Sequence, residues 1–114
     1  MITTGRKFQF WEYHVSHGEL LVRSPRDSVN PRNVDIAFVD VRYVEMPRFL
    51  SDVELGEVTH DDVTRAGERL GTPVVDRNVF ILRSGGRRYV VVAGAISISE
   101  SDMDIFDSPF DTDR

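Results

Sequence analysis

The chain has 114 residues, 40% of them hydrophobic and 29% charged, and no cysteine. That composition describes one ordinary globular domain and excludes disulfides, thiolate metal sites and a cysteine nucleophile. The formal charge of −5 sits in residues 100–114, where Glu100, Asp102, Asp104, Asp107, Asp111 and Asp113 stand against Arg114 alone, while residues 1–99 balance 13 acids with 13 bases.

The opening MITTGRKF lacks the apolar run of a secretory signal. The longest apolar run, YVVVAGAI, is far shorter than the ~20 residues that span a bilayer. A cytoplasmic location is the expectation.

Residues 8–24 read as strand, turn, strand. Aromatic and β-branched side chains crowd residues 8–15, SHGE supplies a glycine-containing turn, and an apolar run resumes at Leu20. A loop centred on His17 and Gly18 pairs Val15 with Leu20, Tyr13 with Val22, Trp11 with Ser24 and Glu12 with Arg23. It places Trp11, Tyr13, Val15, Leu20 and Val22 on one core face, with Glu12 and Arg23 as a cross-strand ion pair on the other.

PRDSVNPRN is a loop by its prolines and asparagines. VDIAFVDVRYVEM then reads as one long strand ended by Pro47. Ile36 and Phe38 lie on one parity while Val39, Val41 and Tyr43 lie on the other, which calls for a bulge or sharp bend. VELGEV is a weaker strand.

Thr59 is placed as an N-cap, with Asp61 and Asp62 in the first helical turn. Val63, Ala66 and Leu70 recur at helical spacing, and Gly71 and Pro73 end the helix. Gly67 costs roughly 1 kcal/mol against alanine, so this short helix needs a sheet to pack on.

Two apolar runs flanking Gly85 and Gly86 predict a tight hairpin. The second run reads as a continuous central strand that carries the chain about 35 Å from Tyr89 to Ser99. The order ββ-β-(β)-α-ββ implies an α+β fold: a strongly bent antiparallel sheet or partial barrel of five to six strands with one short helix. Residues 1–99 form the domain and residues 100–114 an acidic, apolar C-terminal tail.

Chemistry-bearing motifs are sparse. His14, His17 and His60 fall on a strand, a turn and a helix start, so no metal site and no cofactor is expected. No G-x-S-x-G elbow is present, and Ser97, Ser99 and Ser101 alternate as the polar face of a strand, so the protein is not read as an enzyme and a small hydrolase ranks last. SGGRR joins strand to strand and lacks the following helix of a phosphate loop.

In the second hairpin Arg83 opposes Arg88 with Arg87 beside them, and like charges directly opposite repel. An external anion or the tail is expected to relieve them, and Tyr89 stands beside them for stacking. In the tail, Met103, Ile105, Phe106 and Phe110 alternate with acids, a pattern suited to docking in a basic, apolar groove. Ile105, Phe106 and Phe110 are expected to dock near the far end of the sheet.

The sequence therefore points to a small non-catalytic protein-binding module, a neutralising or regulatory partner of a basic protein. Its candidate contact residues are Arg83, Arg87, Arg88, Tyr89, Met103, Ile105, Phe106 and Phe110. The alternative is a nucleic-acid-binding β-domain using the arginine hairpin, although the body lacks the net basic charge such domains carry. The oligomeric state is left open.

Overall fold

The computed structural model describes residues 5–110. Two antiparallel sheets enclose the main core, and one helix packs on the outer face of the second sheet. The fold is α+β and mostly sheet; it is strongly bent but not closed into a barrel.

The strands are β1 (Lys7–His14), β2 (Glu19–Ser24), β3 (Asn33–Val39), β4 (Tyr43–Glu45), β5 (Phe49–Ser51), β6 (Glu54–Gly56), β7 (Val79–Ser84), β8 (Arg87–Val92) and β9 (Ala95–Ser101), with α1 spanning His60–Leu70. The first sheet runs β5-β1-β2-β3-β9 and the second β4-β8-β7-β6. Among the described residues nine strands replace the expected five to six: both long predicted strands are divided, and β5 is a short strand that the sequence pattern does not announce.

Both divisions fall at one corner. The segment read as a single strand after the proline loop stops at Asp40, which takes a left-handed φ of 53°, and resumes as β4 in the other sheet. The run read as continuous from Tyr89 to Ser99 breaks between Val92 and Ala95. β3 pairs with β9 and β4 with β8, so one two-stranded ribbon bends from sheet to sheet. Gly94 N–H donates to Val39 O at 2.9 Å and Arg42 N–H to Val92 O at 2.8 Å, which fastens the bend. The switch of apolar parity after Phe38 is the trace of this bend in the sequence.

Inside, Phe8, Leu20, Val22, Ile36 and Phe38 of the first sheet meet Leu82, Val91 and Ala93 of the second chain half. Outside, Val63, Ala66 and Leu70 of α1 cover Val79 and Val92. The helix forms as its sequence requires. The Thr59 side chain accepts from Asp62 N–H while Asp62 accepts from Thr59 N–H, and Gly71 closes the helix at φ 77°.

The first hairpin exists, but its register differs from the expected one. Val15–His17 form a 3-10 turn closed by Gly18 at φ 56°, so the connection is longer than a two-residue loop. Tyr13 therefore pairs with Leu20 and Glu12 with Leu21, and a bulge at Trp11 shifts Phe10 to Val22 and Gln9 to Arg23.

Val15, expected in the core, is 85% exposed at the turn. Trp11 leaves the core face and stands against the Arg23 guanidinium, 5.7 Å from its ring centroid. Gly18 is fixed by contact as well as by φ: a Cβ there would lie 3.0 Å from Val41 N, beside the ribbon's bend.

Candidate protein-binding surfaces

The candidate residues gather in two places, the second hairpin and the outer face of the first sheet. The second hairpin has the predicted register, with Gly85 and Gly86 at φ 58° and 75° and Arg83 opposite Arg88, Ser84 opposite Arg87. The expected repulsion is relieved from within the domain.

Arg83 donates to Glu54 at 3.2 Å, and Arg88 donates to the Asp62 carboxylate and to Glu57 O. The anions are thus supplied by β6 and α1, correcting the expectation of an external ligand or the tail. Arg69 likewise donates to Glu45, which also accepts from the Tyr43 hydroxyl.

Burial pushes the Asp62 carboxyl up, but hydrogen bonds from Thr59 and the nearby Arg88 outweigh it and hold its pKa below the usual value. Glu45, by accepting from Tyr43, raises the phenol's pKa. Arg65 and Arg87 have no ion pair among the described residues.

A cleft of about 120 Å³ separates α1 from the sheet, lined by Arg65, Arg69, Arg88, Glu45 and Asp62. That is below the ~300 Å³ at which small-molecule sites begin. Tyr89 is half-buried, packs against the main core, and lines an open depression of about 530 Å³ with Arg87 and Arg88.

The other surface is built around Arg23. Leu21, Arg23 and Asp35 have the opposite parity to the core residues Leu20, Val22 and Ile36, and Met103, Ile105 and Asp107 lie over Arg23. Arg23 is wholly buried, and all five of its N–H groups are used. Nε donates to Asp35 Oδ1 at 2.7 Å and Nη2 to Asp35 Oδ2 at 3.0 Å. Nη1 donates to Ile105 O at 2.9 Å and Asp107 O at 2.7 Å, and Nη2 also reaches Met103 Sδ at 3.5 Å.

The predicted Glu12–Arg23 pair does not form. Glu12 instead accepts from the Ser108 hydroxyl and lies 3.2 Å from His14 Nε2. The bulge and the longer turn moved Glu12 opposite Leu21, and Asp35 on β3 took its place beside Arg23.

Main-chain carbonyls hold the rest of the segment. Arg32 donates to Glu100 O, Arg26 to Asp102 O and Asn33 Nδ2 to Met103 O. Phe110 is buried with its ring edge-on to His14 at 5.9 Å, and Ile105 and Met103 are half-buried.

Phe106 is 82% exposed. It sits at the tip of a turn in which Asp107 N–H donates to Asp104 O and Phe106 N–H to Asp104 Oδ1, both at 2.9 Å. Asp111, Asp113 and Arg114 lie outside the described residues.

His17 lies in the first turn and His60 opens α1, and no three His, Asp or Glu side chains gather as a metal-holding group among the described residues. No helix among them is long and apolar enough to cross a membrane.

Sequence reading missed Arg23 and Asp35 as partners. The available signal was a charged residue at the same parity in each of two neighbouring apolar strands. Compared with known proteins, the chain matches no family model, no curated protein and no solved structure.

Proposed function

We propose that this protein is a non-catalytic protein-binding module whose contact surface is the turn at Asp104–Asp107, with Phe106 as the anchor. One observation carries the reading: a large aromatic side chain stands in solvent while the carbonyls of Ile105 and Asp107 on either side of it are fixed by Arg23.

A side chain on preorganised backbone loses little entropy on docking, and buried aromatics dominate interface energies. Phe49, the other exposed phenylalanine, has Lys7 and Arg48 over its ring at 5.9 Å and 4.9 Å, whereas among the described residues no such cover is present at Phe106. Asp102, Asp104 and Asp107 are exposed around Phe106 and complement a partner with basic groups about an apolar pocket.

The nucleic-acid reading loses support because Arg83, Arg88 and Arg69 are paired with the domain's own acids.

The test is affinity capture from the native host with the full chain and with Phe106→Ala, each partner then measured purified. The variant should melt within about 0.5 kcal/mol of the parent, as exposed substitutions do, and lose at least tenfold in affinity, or about 1.4 kcal/mol. Equal retention of the same partner by both chains overturns the proposal.

A further inference from the structure

Four strands end the two sheets, and they differ in length. β4, β5 and β6 have three residues each, too short to template another strand, whereas β9 has seven. Natural sheets blunt long edges with lysine, proline or bulges. β9 has none of these, and its first five residues, AISIS, are uncharged. Among the described residues it pairs on one side only, with β3.

We infer that two copies of this chain associate by antiparallel pairing of β9 with β9, joining their five-stranded sheets. A second copy is the fitting occupant because β9 complements itself. With the two-fold axis at Ser97, Ile96 of one copy faces the other's Ile98, continuing the half-buried row packed on the main core. Ala95 then faces Ser99 on the exposed side. A two-fold axis at Ile98 instead sets Glu100 against Ile96 and is disfavoured.

Charge selects the same register. Gly94, just before β9, lines a depression of about 300 Å³ with Asp40, Arg42 and Arg77. Arg42 lies 3.9 Å from Asp40, with both side chains two-thirds exposed, and Arg77 has no ion pair among the described residues. Pairing about Ser97 brings the partner's Glu100 opposite Gly94, beside these two arginines. The symmetry repeats the contact at the other end, so acid and base meet twice.

A two-strand contact is smaller than a standard stable interface, so association belongs to the weak class. This surface is separate from Phe106, and its test does not depend on that residue.

Sedimentation velocity of the full chain from low-micromolar to near-millimolar concentration should show reversible dimer formation. Ser97→Lys sets two ammonium groups against each other at the axis. It should weaken the dimer roughly tenfold or more, as like-charge juxtaposition does. Because Ser97 is exposed, the melting of the dilute monomer should be unchanged. Glu100→Arg should also weaken the dimer, and adding Arg42→Glu and Arg77→Glu in the same chain should restore it. A chain that stays monomeric throughout overturns the inference. So does a dimer that Ser97→Lys leaves intact, or an edge that binds extended peptides but not a second copy.

Discussion

The helix side and the tail side of the molecule both rest on arginines, and they use them in opposite ways. Around the second hairpin, Arg69, Arg83 and Arg88 reach across the surface to carboxylates with their side chains about half exposed. Water and salt screen such pairs, and each contributes little. On the other side Arg23 is sealed off, paired to Asp35 in two-point geometry and capped by main-chain carbonyls of residues 105 and 107. A buried charge with every donor used is costly to disturb, because removing one partner leaves the other stranded. Burial, more than residue type, decides which arginines hold the fold.

The comparison breaks first at Arg23. Arg23→Met should destabilise the protein by about 3–5 kcal/mol and free residues 103–110 for proteolysis, read by urea unfolding and limited digestion. Arg23→Met combined with Asp35→Leu should recover much of that loss, since the stranded carboxylate is gone.

A smaller effect belongs to the helix cap. Thr59→Ala should cost about 1 kcal/mol in thermal unfolding and leave protection of the tail from proteolysis intact. Asp62 adds a pH dependence. Its folded pKa lies below its unfolded value, so its contribution is fully present above about pH 4 and disappears as pH falls through the depressed folded value. Melting curves of the parent and Asp62→Asn should therefore differ most near neutrality and converge toward pH 3.

The smallest effect is expected for Glu54→Gln, which removes the exposed Arg83 pair. It should cost no more than about 1 kcal/mol, shrinking as salt is added. A loss as large as that of Arg23→Met would erase the distinction between the two sides.

What could be read from the sequence was local. Thr59, Asp62 and Gly71 define α1, and Gly85 with Gly86 defines the second hairpin, because caps and turn glycines act over a few residues. The bend at Asp40 was harder to place: it uses a left-handed aspartate where glycine is the usual signal, and only the parity change after Phe38 betrays it. The first hairpin was misaligned by a 3-10 turn and a bulge, neither of which alters the apolar pattern enough to show.

In the tail, Met103, Ile105 and Phe110 do turn inward, while Phe106 does not. The acceptors that fix the segment are carbonyls, and no side-chain pattern reports those.

The Arg23 contacts also imply an order of assembly. β1, β2 and β3 are neighbours in sequence and close short loops, so they can form early. The bonds from Arg23 to Ile105 and Asp107 span 82 and 84 residues. Contacts of that separation must await closure of most of the chain, and such topologies fold slowly. Until then the guanidinium and Asp35 remain wet, and the outer face of the first sheet is open. The segment at residues 103–110 thus acts as a clasp. Its docking should come last in folding, and with Trp11 against the Arg23 guanidinium as reporter a refolding experiment should see that docking as its slowest fluorescence phase.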